Sequence, residues 1–253
     1  MKTFVITGAG SGIGRATAIA LSKLNDVRLL LVGRTTSSLK ETFDLLETKG
    51  HHQLAIDIRD AKAWKNALET INATSLNICG VFANAGIGGE NKYGNNDRWE
   101  EIISINLTGT YTTIEELLPY LKKSDEKFRN IVITSSCLAR FGVPRYTAYC
   151  TAKAGLLGLT KSLAVEHASD NILVNAICPG WVETEMAKAG IKKLADIDNL
   201  SYEEGFKQQM SYVPLNRISQ PEEIANLVKF LLTNEQTSIT GQSIDINNGS
   251  FMI

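Results

Sequence analysis

Tyr149 and Lys153, in Tyr149-Cys150-Thr151-Ala152-Lys153, are the residues best placed to do chemistry. Four residues apart in a segment of helical period, they share one face of a helix. An ammonium beside a phenol favours the phenolate. It would lower the tyrosine pKa from its ordinary value of about 10 and bring the group toward general acid–base duty near neutral pH. Any amphipathic helix can hold a Tyr-x-x-x-Lys pair, where packing or a solvated charge would explain it. The neighbouring Ser135-Ser136 raises the specificity. It closes a strand-like apolar run, and open α/β sheets bind ligands at that end of their strands. Side chains alternate along a strand, so only one of the two serines can face a site. Asn106 lies within the apolar helical run Ile105-Asn106-Leu107. A polar residue is mildly unfavourable there, which points to a local purpose.

These residues need a scaffold, and the chain supplies a regular one. Apolar runs that read as strands are Thr3–Thr7, Arg28–Gly33, Gln53–Asp57, Ile78–Ala83, Asn130–Ser135, Leu173–Cys178 and Gln242–Ile246. Stretches of helical period lie between them, at Ile13–Asn25, Ser37–Lys49, Ala61–Ala73, Asp97–Lys122, Thr147–Ala168 and Pro221–Thr233. Nearly continuous apolar strands suit a sheet buried on both faces. Their alternation with helices predicts a parallel sheet with right-handed crossovers. The expectation is therefore α/β: one doubly wound domain over residues 1–253, with a seven-stranded parallel sheet and helices on both faces. Gly86–Asn96 and Glu185–Tyr212 fit the alternation poorly and read as long functional loops.

The first strand runs into Thr7-Gly8-Ala9-Gly10-Ser11-Gly12-Ile13-Gly14 and then a helix. In that context the glycines allow a tight turn and let backbone N–H groups approach a pyrophosphate at the helix N-terminus. A purely structural turn is the alternative, and the strand–turn–helix setting argues against it. The second strand ends in Gly33-Arg34-Thr35, where an acidic residue would select NAD. Arg34 can instead pair with a 2′-phosphate, which favours NADP(H) over NAD(H), although a solvated arginine would also fit. Ser11 stands where a second basic residue would have helped that case. Asp57 closes the third strand, where an aspartate can cap the next helix.

Composition excludes other functions. With 26 Lys+Arg against 27 Asp+Glu and no basic run, nothing marks a nucleic-acid surface. No apolar stretch is long enough to span a bilayer, and no secretory leader is visible, so a cytoplasmic location is expected. Cys79, Cys137, Cys150 and Cys178 are widely spaced, and His51, His52 and His167 fall in no motif. Neither a disulfide framework nor a metal site is expected, and a Ser-His-Asp triad has little to draw on.

The Thr7, Gly8, Gly12, Gly14 spacing resembles the T-G-x-x-x-G-x-G signature of the short-chain dehydrogenase/reductase family, and Tyr149-x-x-x-Lys153 resembles its catalytic motif. That family has a Rossmann-type fold and places its serine thirteen residues before the tyrosine, which selects Ser136. Asn84-Ala85-Gly86 and Cys178-Pro179-Gly180-Trp181-Val182-Glu183-Thr184 are similar to its N-A-G and P-G motifs. Pro214–Arg217 and Pro221–Ile224 look like its closing helix, so the resemblance runs from Thr7 to about Gly249.

The resemblance implies an oxidoreductase that interconverts a carbonyl and a secondary alcohol, with Asn106, Ser136, Tyr149 and Lys153 as catalytic residues. It implies cofactor contacts at Gly8, Ser11, Gly12, Ile13, Gly14, Arg34, Asp57, Ile58, Asn84, Ala85, Gly86, Tyr149, Lys153, Pro179, Gly180, Val182 and Thr184. Lys153 would hold the nicotinamide ribose, Asn106 a relay water, and Val182 and Thr184 the carboxamide. Apolar residues in Glu185–Tyr212, such as Met186, Ile191 and Phe206, make that segment the expected substrate lid. Its lysines 188, 192, 193 and 207 could meet an acidic carrier or form a solvated face. The chain broadly resembles 3-oxoacyl-thioester and polyketide ketoreductases, which makes 3-oxoacyl reduction the leading expectation. A small or cyclic ketone, or a secondary alcohol, is the alternative substrate. A nucleotide-sensing protein without turnover is a third reading, and retention of both Tyr149 and Lys153 speaks against it. The family also implies a homotetramer or homodimer.

Overall fold

In the computed structural model, which describes residues 1–252, seven parallel strands form one sheet. They are β1 (Lys2–Thr7), β2 (Val27–Gly33), β3 (His52–Ala55), β4 (Asn77–Ala83), β5 (Arg129–Thr134), β6 (Ile172–Pro179) and β7 (Ser243–Ile246). Their spatial order is β3-β2-β1-β4-β5-β6-β7. Strand order reverses between β1 and β4, so the connections leave those two edges in opposite directions and open a crevice at their C-terminal ends.

The strands are apolar at almost every position because both faces are covered. Val5, Leu30, Val32, Val81 and Ile131 face one layer, and Phe4, Ile6, Leu29, Leu31 and Phe82 face the other. The first layer packs on α3 (Ala61–Thr70), α5 (Gly109–Lys122) and α6 (Thr147–Glu166), through Trp64, Leu117 and Leu156 among others. The second packs on α1 (Gly12–Ser22), α2 (Thr36–Phe43) and α9 (Pro221–Leu232), through Leu21, Leu39 and Val228. Pro221 opens α9 behind a Gln220/Glu223 capping box. Among the described residues, no helix is long and apolar enough to cross a membrane.

All seven strands and six helical segments lie where the sequence reading puts them, with shifted ends. The Gln53–Asp57 strand stops at Ala55, and the Ser37–Lys49 helix stops at Phe43. Beyond Phe43 the chain bonds to the end of α1 instead: Ser22 Oγ accepts from the Glu47 amide, and the Thr48 hydroxyl donates to the Ser22 carbonyl. The Asp97–Lys122 helix comprises α4 (Trp99–Ile103), a π-helical turn (Ser104–Thr108) and α5.

The reading of Glu185–Tyr212 as a loop is corrected. It folds as α7 (Glu185–Ile197) and α8 (Tyr202–Ser211). Ala187, Ile191 and Met210 bury together with Val213 and Ile218 in a third small cluster, away from the main core. Thr184 caps α7 by accepting from the Ala187 amide, and Ser201 caps α8 in a capping box with Glu204. Gly86–Asn96 has no regular structure.

Candidate active site

Tyr149, Ser136, Lys153 and Asn106 come together at the C-terminal ends of β4 and β5. Ser136 lies two residues past β5 and caps a short 3₁₀ turn by accepting from the Leu138 amide. Its side chain also lies beside the Tyr149 phenol and favours the phenol's charged form. Ser135 points away: its hydroxyl is buried and donates to the Lys153 carbonyl at 2.8 Å. The alternation along the strand thus separates one serine that fixes α6 from one that meets the phenol.

Lys153 is 4% exposed, and its ammonium donates to the Thr134 carbonyl at 2.8 Å. It lies 5.7 Å from the centre of the Tyr149 ring. The expected lowering of the Tyr149 pKa is not what the structure gives. Burial pushes the phenol up to about 12, against the pull of the neighbouring Ser136 side chain. Burial also brings Lys153 down to about 8. Desolvation disfavours the charged form of each group and is the largest influence on both.

Asn106 sits in the π-helical turn, a feature often found at functional sites. Its carboxamide reads both backbone groups of Ile87, accepting from the amide and donating to the carbonyl, each at 2.9 Å. Gly86 lies in the gap between Asn106 and Lys153. A Cβ there would stand 2.6 Å from Asn106 Oδ1 and 3.6 Å from Lys153 Nζ.

A cleft beside this group runs along the sheet edge past Gly8, Gly10, Ser11, Gly33, Arg34, Asp57, Ile58, Ala85 and Gly86. The glycine turn is as tight as its spacing requires. Gly12 holds a left-handed φ of 50°, and a Cβ on Gly14 would lie 2.2 Å from the Gly8 carbonyl oxygen. Ser11 precedes α1 without capping it through its side chain. The first backbone N–H groups of α1 therefore lack a side-chain partner at the cleft, which suits a phosphate. Ile13 begins that helix beside them. Asn84 ties the ends of three strands together: it donates to the Thr7 carbonyl and accepts from Thr134, while its amide donates to the Thr7 hydroxyl.

Arg34 is exposed on the cleft wall and has no ion-pair partner among the described residues. Thr35 and Ser38 line the same mouth, although nothing in their spacing marks them. Asp57 does not cap the next helix, since Asp60 does. Asp57 is paired with Arg59 at 2.7 Å, and that hydrogen bond holds its carboxyl below the usual range. Ile58 is buried, with its carbonyl accepting from the Trp64 indole. On the far side, Gly180 packs against Asn247, Val182 is buried and bridges to Ser219, and Pro179 ends β6. The Thr184 hydroxyl donates to the Val182 carbonyl, and its methyl faces Gly12. The residues present fit a dinucleotide laid across β1 and β4, with its nicotinamide end at Tyr149.

The sequence reading does not single out Glu90 and Asn91. Asn91 Oδ1 accepts from the Thr147 hydroxyl at 3.0 Å and the Ala148 amide at 2.9 Å, which caps the helix carrying Tyr149. Asparagine's preference for helix N-termini is a sequence signal, but here it acts across more than fifty residues and has no local pattern. Among the described residues, three lysines of 185–212 pair with acids: Lys188 with Glu183 and Glu185, Lys192 with Asp196, and Lys193 with Glu90.

Comparisons with known proteins agree with this geometry. The model of a family described as enoyl-(acyl carrier protein) reductase matches residues 8–250. The chain is 33% identical to the 3-oxoacyl-[acyl-carrier-protein] reductase FabG of Vibrio harveyi, over all of this chain and 98% of that one. It is 31% identical to the FabG of Buchnera aphidicola subsp. Schizaphis graminum, over 99% and 98% of the two chains. Among solved structures, an actinorhodin polyketide ketoreductase variant with NADPH superposes with a TM-score of 0.91 at 28% identity, covering 98% of this chain and 97% of that one. Carveol dehydrogenase from Mycobacterium avium, in complex with NAD, gives 0.89 at 27% identity, again covering 98% and 97%. The chain belongs to the short-chain dehydrogenase/reductase family and is an NAD(P)-dependent oxidoreductase acting on a carbonyl/alcohol pair.

Proposed function

We propose that this protein reduces 3-oxoacyl thioesters with NADP(H), using Ser136, Tyr149, Lys153 and Asn106. The observation that carries the reading is the neighbouring Ser136 and Tyr149 side chains, set with a buried lysine beside a cleft walled by the glycine turn. A bound nicotinamide supplies the hydride. Ser136 and Tyr149 hold the substrate carbonyl oxygen between two hydroxyls. Tyr149 releases its proton to that oxygen as negative charge develops there. A phenol kept protonated by burial is suited to donating. Lys153 sits where it can stabilise the phenolate that remains. Asn106 fixes the Ile87 backbone and the π-turn around a path for reprotonation.

Arg34 supports NADP(H), because a free guanidinium on the cleft wall meets a 2′-phosphate through charge-assisted bonds. The names of the FabG relatives support a 3-oxoacyl substrate. The α7–α8 pair, with Met186 and Phe206 on it, is proposed as the substrate lid, and residues 1–253 as one domain. Exposed Tyr111 on α5 and Val165 on α6 support a homo-oligomer, a tetramer or dimer. A cyclic ketone is the second reading, favoured by the superposition on carveol dehydrogenase.

The test is a panel of a 3-oxoacyl thioester, a cyclic ketone and an enoyl thioester, each with NADPH and NADH. The 3-oxoacyl thioester with NADPH should give the highest kcat/KM. Tyr149→Phe should lower kcat by about a thousandfold or more and leave the nucleotide Kd within about twofold. Reduction of the enoyl thioester alone, or substantial turnover by Tyr149→Phe, would overturn the reading.

A further inference from the structure

Glu90 carries a carboxylate whose side chain is only 3% exposed, on the irregular segment that follows Gly86. A buried carboxylate is tolerated only when paired. Both cations that pair with Glu90 come from other parts of the chain. Arg145 reaches it at 3.3 Å from the turn before α6, and Lys193 reaches it at 2.6 Å from α7. Each of those side chains is about half exposed, so the charges lead from solvent into the protein and end on Glu90. Arg145 adopts a left-handed φ of 67°, which a non-glycine residue holds only where its surroundings fix it. Its carbonyl accepts from the Asn91 amide at 2.8 Å, so residues 90 and 91 grip that turn by charge and by backbone.

The same segment meets α7 a second time. Gly88 lies against Met186, whose sulfur would be 2.9 Å from a Cβ at that position. Met186 and Lys193 are seven residues apart on α7, two turns along one face. One helix face therefore lies along residues 88–90, with a thioether at one end and an ammonium at the other. Residues 86–88 border Asn106 and Lys153, so this is the stretch over which a lid must close. The Lys193 contact is an ion pair without a well-aligned hydrogen bond, which leaves it free to part without breaking a directed bond.

We propose that Glu90 is the positioning residue of the substrate lid: through Lys193 it holds α7 over the site, so that opening the lid leaves the carboxylate with Arg145 as its one remaining cation among the described residues and favours reclosure. The proposal rests on the reductase reading for its consequence in turnover, while the latch itself can be measured without turnover.

Hydrogen exchange of the full chain tests it, read on the amides of residues 185–197 in wild type, Lys193→Ala, Glu90→Gln and Lys192→Ala. Among the described residues Lys192 pairs only with Asp196 of its own helix, and its variant is the control. Lys193→Ala should speed exchange across α7 by about tenfold, Glu90→Gln should do the same, and Lys192→Ala should leave it unchanged. Combining Glu90→Gln with Lys193→Ala should add little to either alone. In turnover, Lys193→Ala should raise the KM of the carbonyl substrate about fivefold, with kcat within about twofold and the KM of the nucleotide unchanged. Wild-type exchange rates in Lys193→Ala, or equal loosening in Lys192→Ala, would overturn the latch. Absence of turnover in wild type on every carbonyl would instead sink the reductase reading, and the exchange data would still decide the role of Glu90.

Discussion

Lys153 and Tyr149 are one helical turn apart, yet each is held away from its charged form. Burial keeps the phenol protonated and makes the ammonium costly, and the Thr134 carbonyl is the one hydrogen-bond acceptor found for that ammonium among the described residues. A negative charge developing near them changes this balance, because it gains the Lys153 charge and the Ser136 hydroxyl together. In the proposed reaction, electrostatic assistance is thus reserved for the transition state, where it would accelerate the step, and is not spent on the resting state. Arg34 works by the opposite logic. It is exposed, with no ion-pair partner among the described residues, and in the proposed reading it would meet a 2′-phosphate directly. Arg34→Asp is expected to raise the KM for NADPH by about a hundredfold and that for NADH by less than about threefold. Steady-state kinetics with both nucleotides check this, and equal changes would show that Arg34 does not read the phosphate.

At the scale of elements, the site depends on helix ends and their caps. The start of α1 faces the cleft without a side-chain cap, whereas the start of α6 is capped by Asn91 from a distant segment. The first arrangement leaves donors for a ligand, and the second fixes the turn that carries Tyr149. Asn91→Ala removes both bonds to α6 and should cost about 1–2 kcal/mol of stability. It should also lower kcat, because the phenol is held less accurately relative to Ser136. Urea unfolding read beside kcat tests both effects. A stability loss with kcat unchanged would reduce Asn91 to a purely structural cap. The π-turn at Asn106 belongs to the same scale: one extra residue in the helix re-aims a carboxamide at Ile87 that an ideal helix would point elsewhere.

Over the whole molecule, one sheet joins residues from Lys2 to Ile246, and its two apolar faces are shared by helices from both halves of the chain. Neither half can bury its strands without the other. Unfolding should therefore be a single cooperative transition, with calorimetric and van't Hoff enthalpies in agreement. Two resolved transitions would divide the chain into separate domains. The small cluster under α7 and α8 is separate from that core, which suits the proposed lid.

The sequence determined whatever depends on short-range periodicity and spacing. Apolar runs marked all seven strands because a strand covered on both faces has no polar side to show. The glycine turn was legible because Gly14 admits no Cβ beside the Gly8 carbonyl, and Tyr149 and Lys153 because a four-residue spacing fixes a shared helix face. The helices of 185–212 were not legible, since their apolar residues answer only to one another in a cluster apart from the main core. Tertiary structure alone decided that Ser135 turns to the Lys153 carbonyl, that burial holds the Tyr149 phenol protonated, and that Glu90 meets Arg145 and Lys193. Desolvation and long-range pairing depend on what surrounds a group in space, and residues far apart in the chain carry no local pattern that announces their meeting.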